Sequence, residues 1–339
     1  MIVRFGYVAM STVIKDCSPS KTMTMATFKK LDDREAALRR LENIARMNLH
    51  NTLRLLKHNV ASEIKVYRLT SKLIPLATHP DLQDWNPFAA LVEEFAEVGQ
   101  YIKKHGLRVS FHPDHFTVLS TPLSTPRPEV LDSSIRDLWH HTDMLNAMGL
   151  KATVKNNIHI GGAYGDKPVA AARFQEHFAD LPAELQERIT LENDDKTFNA
   201  VETLAVSRNL GLPMVLDIHH QWVNNEGELP WELWPDIQRT WKSPLALKDV
   251  QAGEFLPPKI HVSSPRSPSE PRSHADGVEP APLLAFLKRI AADTPAVDAM
   301  LEAKSKDGAL FELMEALKEL AQAGNGITLL DGASVNIEP

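Results

Sequence analysis

A single cysteine, Cys17, stands among 339 residues, so no intramolecular disulfide can form and the chain suits a reducing cytoplasm. No apolar run approaches the length needed to cross a bilayer. The N-terminus, MIVRFGYV, reads as a strand rather than as a charged segment leading a long apolar stretch, so no secretory leader is expected. Internal repeats, low-complexity tracts and long linkers are also missing. Positive charge is short: the formal net charge is −7, which counts against a nucleic-acid partner because phosphate binding leaves a basic footprint. Two features offset this. Divalent cations among clustered carboxylates would change the local sign. Lys21, Lys29, Lys30, Arg34, Arg39 and Arg40 could gather on one face, although a solvated helix face is the plainer reading of that run.

What is present is a rhythm. Eight times a short apolar run ends in a polar or metal-binding residue and a helical stretch follows; the endings are Tyr7, Arg68, His112, His159, Glu192, Asp217, His261 and Glu302. Expected strands run over 2–8, 63–69, 108–112, 152–160, 188–192, 213–218, 258–262 and 296–302. Expected helices run over 32–57, 85–105, 129–148, 170–178, 198–209, 231–241, 282–292 and 309–323. Apolar residues at helical spacing (Phe88, Leu91, Val92, Phe95, Val98, Ile102) before Gly106 illustrate the helical half of the pattern. Alternating strands and helices build a parallel sheet, and eight such units close a (β/α)8 TIM barrel, an α/β fold whose active site lies at the C-terminal strand ends. Residues 1–323 are expected to form this one domain, with 324–339 a tail that packs loosely or extends the fold. The loop at 263–277, SSPRSPSEPRSHADG, falls on the active face and is a candidate lid or phosphate contact.

The strand ends carry chemistry. His112, His159, Glu192, Asp217, His261 and Glu302 are imidazoles and carboxylates, the usual ligands of a catalytic divalent ion, and a barrel brings its strand ends to one axis. Each alone is an ordinary structural residue; six converging would be costly to bury without charge partners. His79, His115, His219, His220 and His274 lie in nearby loops. Asp217 and His219 are two apart and share a side of an extended strand, whereas His220 reaches the site only if the strand ends at Asp217 and the chain turns. Lys259 points the same way as His261, one layer below it, either as a salt bridge to a ligand carboxylate or as a carbamate. Asn193 and Asp194 could orient ligands from behind. Gly161 and Gly162 would permit either a close backbone approach to a phosphate or a tight turn. Three carboxylates with several imidazoles exceed the needs of one ion. Clustered divalent ions suit phosphodiester cleavage, since they provide hydroxide near neutral pH and stabilise both the attacking and leaving oxygens.

With these motifs the chain resembles the UV damage endonucleases, barrel nucleases related in fold to the endonuclease IV type of abasic-site nuclease. The matching segments are RFGYV (4–8), LIPLATHP (73–80), FHPDHF (111–116), HIGGAYGDK (159–167), LENDD (191–195), LDIHHQ (216–221), KIHVSS (259–264), SHADG (273–277) and LEAKSKD (301–307). They span nearly the whole chain in order. The resemblance implies a manganese-type cluster, three ions in all, that nicks DNA on the 5′ side of ultraviolet photoproducts. Zinc, magnesium or iron would also suit the donors. The implied ligands are His79, His112, His159, Glu192, Asp217, His220, His261, His274 and Glu302, with His220 favoured over His219. Glu192, Lys259 and His261 would carry the chemistry, and Lys259 matches a lysine that can be carboxylated beside the metals. Tyr7, Arg68, His115 and Phe116 would contact the DNA or lesion. Here His115-Phe116 stand where some members have Gln-Tyr as a probing pair, so an aromatic wedge is kept while its hydroxyl and the amide are not.

The expected function is therefore metal-dependent nicking of damaged duplex DNA at cyclobutane dimers and 6-4 products, with abasic sites also within reach. The expected partner is double-stranded DNA, handled by a monomer in the cytoplasm near the nucleoid, without a membrane or an obligate protein partner. Two rivals remain at this point: a divalent-metal sugar isomerase of the same fold, which would need a closed pocket, and a damage-binding protein without cleavage.

Overall fold

Runs of aliphatic and β-branched residues too short for helices form the inner layer of the molecule. In the computed structural model, which describes residues 1–123 and 129–339, they are β1 (Ile2–Val8), β2 (Val66–Arg68), β3 (Arg108–Ser110), β4 (Asn156–His159), β5 (Ile189–Glu192), β6 (Met214–Asp217) and β7 (Lys259–Val262). A hairpin of β8 (Pro265–Ser267) and β9 (Glu270–His274) then precedes β10 (Ala296–Leu301). From β1 to β3, and from β4 through β7 to β10, neighbours pair parallel in chain order, and β10 pairs back onto β1. Only a bridge from Phe111 to Asn156 joins β3 to β4 among the described residues, so the eight-stranded parallel barrel is nearly closed. Every residue of β5, β6 and β7 is buried, as expected of strands covered on both faces.

The outer layer is α1 (Met25–Phe28), α2 (Arg34–Ala61), α3 (Val92–Lys104), α4 (Glu129–Ala147), α5 (Lys167–Ala179), α6 (Ala183–Gln186), α7 (Ala200–Leu210), α8 (Ile218–Val223), α9 (Pro230–Thr240), α10 (Pro280–Ile290) and α11 (Asp307–Gln322). The expected elements are present with shifted ends, and local chemistry explains the shifts. Asp33 caps α2 by accepting from Glu35 N, so the helix begins at Arg34 rather than Asp32. The single helix expected from Trp85 is split: Asn86 caps a 3₁₀ turn at Pro87–Ala90, and α3 starts only at Val92. Glu63 sits at φ 60, which breaks an extended strand, so β2 starts at Val66.

The last residues are not a loose tail. They form an antiparallel hairpin, β11 (Ile327–Asp331) and β12 (Ser334–Ile337), and β12 pairs with β1 from Ile2↔Asn336 to Arg4↔Ser334. Val335 and Ile337 are fully buried in the main core. At the same N-terminal end of the barrel, Asp298 is fully buried between two arginines, 2.6 Å from Arg4 Nε on one side and bonded to Arg108 on the other. The barrel floor thus sets two cations around one buried carboxylate.

A chain ending at residue 324 should lose about 5 kcal/mol of unfolding free energy, from the exposure of Ile327, Val335 and Ile337 and of the surface beneath them. Denaturant unfolding measures this; an unchanged midpoint and slope would show the hairpin to be ornamental.

Candidate metal centre

Parallel register places the polar strand ends side by side: His159 aligns with Glu192, and Asp217 with His261. His112 follows β3, Glu302 follows β10 and His274 ends β9, so all look into the same C-terminal mouth. Glu192, nearly fully buried, is the hub. Its Oε2 lies 3.0 Å from His112 Nε2 and also takes the Asn157 amide, while its Oε1 lies 2.9 Å from His261 Nδ1. His261 Nδ1 is also 3.1 Å from Glu302 Oε1, and His220 Nδ1 is 3.8 Å from both Glu192 and Asp217.

Three overlapping sets of donor atoms result, each within 4.8 Å: His112–Glu192–His261, Glu192–Asp217–His220 and Asp217–His261–Glu302. Glu192, Asp217 and His261 each belong to two sets, so the three sets form one connected cluster, and the two carboxylates have the oxygens to be shared between ions.

The imidazoles are held in a defined orientation. His112, His159, His220 and His274 each donate Nδ1–H to a main-chain carbonyl: Pro113 O at 2.9 Å, Glu192 O at 3.2 Å, Asn193 O at 2.9 Å and Glu302 O at 2.8 Å. This fixes the tautomer that leaves the Nε2 lone pair for a metal, the usual second-shell arrangement of ligating histidines. With His112 so fixed, its Nε2 and the Glu192 carboxylate are two acceptors at 3.0 Å, and a proton or a metal ion must lie between them. Asp217 adds a second sign: its Oδ2 is buried with no hydrogen-bond partner, while Oδ1 caps α8 by accepting from His220 N at 2.7 Å. Donor type, spacing and an orphaned carboxylate oxygen all fit a cluster of divalent cations.

Electrostatics shows what substitutes for cations in their absence. Burial opposes ionisation of Glu192 and Glu302, yet His261, His112 and His159 around the first, and Arg68 and His261 around the second, hold both well below the usual carboxylate range. Burial pushes Asp217 up to about 6. For His220 and His261 burial works downward, but the carboxylates outweigh it and raise both to about 9, Asp217 acting first on His220 and Glu192 first on His261. His159 is lowered by burial.

The structure sorts the remaining expected residues. The strand ends at Asp217 and the chain turns into α8, so His220 faces the cluster. His219 instead has both ring nitrogens engaged, Nδ1 with Ser263 Oγ at 2.7 Å and Nε2 with Pro271 O at 2.6 Å. Lys259 is buried beneath His261, and among the described residues no carboxylate lies within salt-bridge reach; its Nζ donates to Ser110 Oγ at 3.0 Å, and burial together with Arg108 lowers it to about 7. His79 lies outside the three sets, its Nδ1 lone pair accepting from Asp81 N at 3.1 Å. Tyr7, expected at the lesion, is instead fully buried, with its hydroxyl on Asn59 Oδ1 at 2.7 Å, because β1 is covered on both faces. Arg68, expected at DNA, turns inward and pairs with Glu302.

His115 and Phe116 are on the surface: Phe116 is 74% exposed and the rings stack with centroids 4.0 Å apart. Gly161 has φ 109, and a Cβ there would meet Ser120 Oγ and Val118 Cγ1 at 2.8 Å, so turn geometry and packing require this glycine. Within the basic run Lys29 pairs with Asp81, Arg34 with Asp84 and Arg39 with Asp33 and Glu35, all in exposed pairs of the weak, readily exchanged kind.

Two supports went unread in the sequence. Asn157 bonds Glu192 and lies two residues before His159, so strand alternation already puts it on the same side. Arg68 was read as a strand end without its partner, which only the closed barrel supplies. Asn193, expected as a support, brackets Asp217, with its amide on Asp217 O and its oxygen on Asp217 N, both at 2.9 Å. A cleft of about 380 Å³ opens over the cluster, lined by His115, His159, Gly162, Asp195, Lys196 and His220 among others.

Comparison with known proteins is consistent along the chain. The family model described as UV-endonuclease UvdE matches residues 3–329. The UV DNA damage endonuclease of Bacillus pumilus (strain SAFR-032) is 42% identical over 327 residues, covering 94% of this chain and 95% of the relative. That of Halalkalibacterium halodurans is 40% identical over 343 residues and covers both chains completely (100%). The crystal structure of SacUVDE superposes with a TM-score of 0.78 at 29% identity, covering 94% of this chain and 99% of that one. A 3-keto-D-glucoside 4-epimerase from E. coli shares the fold at 11% identity and a TM-score of 0.51, covering 94% of this chain and 99% of that one.

Metal ligation needs neutral imidazoles, and His220 and His261, raised to about 9, carry protons at neutral pH in the metal-free protein. Manganese loading at pH 7 should therefore release protons, those of His220 and His261 among them, read as a calorimetric enthalpy that changes with the ionisation enthalpy of the buffer. The same raised values stabilise the metal-free protein fully below the unfolded histidine value of about 6.5, and that contribution is lost as pH rises through about 9. An enthalpy independent of buffer would contradict the assignment.

Proposed function

The chain belongs to the UV-endonuclease UvdE family, and on that premise we propose that it hydrolyses one phosphodiester immediately 5′ of ultraviolet photoproducts in duplex DNA. It is a UV-damage repair endonuclease; the cut position, the lesions and the metals are the proposal. The observation that carries it is the set of four histidines with Nδ1–H tied to carbonyls around the buried Glu192 hub. Structural histidines have no need of a common free Nε2, whereas ligands do.

In this reading His112, His159, Glu192, Asp217, His220, His261, His274 and Glu302 would hold three manganese ions, with His79 the further ligand that the resemblance implies. When bound, the ions supply a nucleophile at neutral pH and neutralise charge on the attacking and leaving oxygens. The protein's own part is positional. Glu192 and Asp217 would offer the ions shared carboxylates, Asn157 and Asn193 fix those two residues, and Arg68 holds Glu302 in place.

Lys259, lowered to about 7 by burial and by Arg108, has its neutral amine available. Attack of that amine on carbon dioxide, with loss of one proton, gives a carbamate whose negative charge suits the surrounding Arg4, Arg68 and Arg108 better than an ammonium does. The exposed His115–Phe116 stack is the wedge that fills the gap left by an extruded dinucleotide, a step that costs least at damaged, poorly stacked bases. Tyr7 and Arg68 act from behind the site rather than on the DNA. Abasic positions, where extrusion is easier still, are substrates by the same geometry. The work is done where the chromosome is; no described helix is long and apolar enough to cross a membrane.

A labelled duplex with one thymine dimer, incubated with manganese, should be nicked just 5′ of the dimer, and a chelator should abolish the cut. Glu192→Gln should remove cleavage while the far-ultraviolet circular dichroism stays unchanged. Full activity of that variant, or nicking that survives chelation, would overturn the metal-centre reading.

A further inference from the structure

The hairpin β8–β9 rises directly from the C-terminal end of β7, beside the metal centre. On β9, Arg272 and His274 are two apart and share a side. His274 turns that side to the centre through Glu302 O at 2.8 Å. Arg272 reaches across the mouth to the loop after β5, donating from Nε to Asp195 O at 3.1 Å, with the Asp195 carboxylate at 3.8 Å. Asp195 lines the cleft that also holds His159 and His220. On the other strand Arg266 is paired with Glu270 at 3.3 Å. Both arginines are more than half exposed, 54% and 55%, so their present ion pairs are weak and readily exchanged.

The hairpin is also fixed at its base. His219, the histidine of the pair that does not face the cluster, ties Ser263 Oγ to Pro271 O, at 2.7 and 2.6 Å. Ala275 N donates to Ser264 O and Glu279 N to Ser264 Oγ, each at 2.8 Å.

We propose that the hairpin β8–β9 is a phosphate clamp on the substrate duplex, with Arg272 its inner cation and Arg266 its outer one. This rests on the endonuclease reading above and deepens it. A guanidinium offers a planar fork of N–H donors that matches phosphate oxygens, and an arginine on a tethered strand presents it with little loss of freedom. In a protein of net charge −7, cations placed at the mouth itself are what would keep a polyanion there. His219 is a positioning residue for this clamp, holding β9 so that Arg272 and His274 stay on one line.

The full-length protein is titrated with a labelled undamaged duplex in EDTA, between about 50 and 200 mM KCl, and in parallel its cleavage of a thymine-dimer duplex is followed with manganese. Arg272→Ala and Arg266→Ala should each lower the slope of log affinity against log salt by about 0.9, so a fourfold rise in salt costs each variant about threefold less affinity than it costs the wild type. On the dimer duplex both should raise KM with kcat within about twofold of wild type. Arg272→Lys, which keeps the charge, should keep the slope. An unchanged slope in Arg272→Ala, in a preparation whose wild type nicks the dimer, would overturn the clamp and leave the endonuclease reading intact. A wild type that nicks nothing would sink that reading, and the clamp with it.

Discussion

Everything at the mouth of this barrel follows from the burial of Glu192. A carboxylate taken out of water needs compensating charge on several sides, and the cost of leaving it alone is several kcal/mol. Its two oxygens meet His112 and His261, its neighbours Asp217 and Glu302 add further negative charge, and the ring of imidazoles answers. Without metal, protons on His220 and His261 do this work. Divalent ions do it better, because each brings two charges to where three buried carboxylates converge. The site is therefore a place where cation binding relieves a strain the fold creates.

The layer beneath has the opposite sign. Arg4, Arg108 and Lys259 fill the barrel floor around the single carboxylate of Asp298. Burial first, and then Arg108, lowers the Lys259 ammonium toward neutrality. Arg68 joins the layers by reaching up to Glu302. An anionic rim over a cationic floor favours cations at the rim over the floor. The overall charge of −7 is thus a poor guide to the mouth, where local ions and the hairpin arginines set the field.

Much of this was legible in the sequence because barrels convert a one-dimensional pattern into a ring: His112, His159, Glu192, Asp217, His261 and Glu302 each end an apolar run, and closure brings them together. What was not legible depended on a single turn or a long side chain. Whether His219 or His220 faces the cluster hangs on β6 ending at Asp217, which strand alternation alone cannot place. Arg68 and Tyr7 look like surface contacts at strand ends, but one reaches inward to Glu302 and the other packs against Asn59 within a doubly covered strand. The last fifteen residues lack a long periodic run, and only their pairing with β1 makes them a hairpin. The basic run reads most plainly as a solvated face, and its exposed pairs with Asp81 and Asp84 agree with that, though only the fold brings those partners to it.

The central claim, that Glu192 bridges metal ions rather than merely anchoring protonated histidines, is tested most directly by anomalous diffraction at the manganese edge from crystals of the manganese-loaded protein. The account predicts anomalous peaks within direct coordination distance of the Glu192 carboxylate oxygens, with His112 and His261 displaced from direct contact with it by the intervening ions. Manganese-saturated crystals in which Glu192 still bonds His112 and His261 directly, with no anomalous peak beside it, would contradict the account.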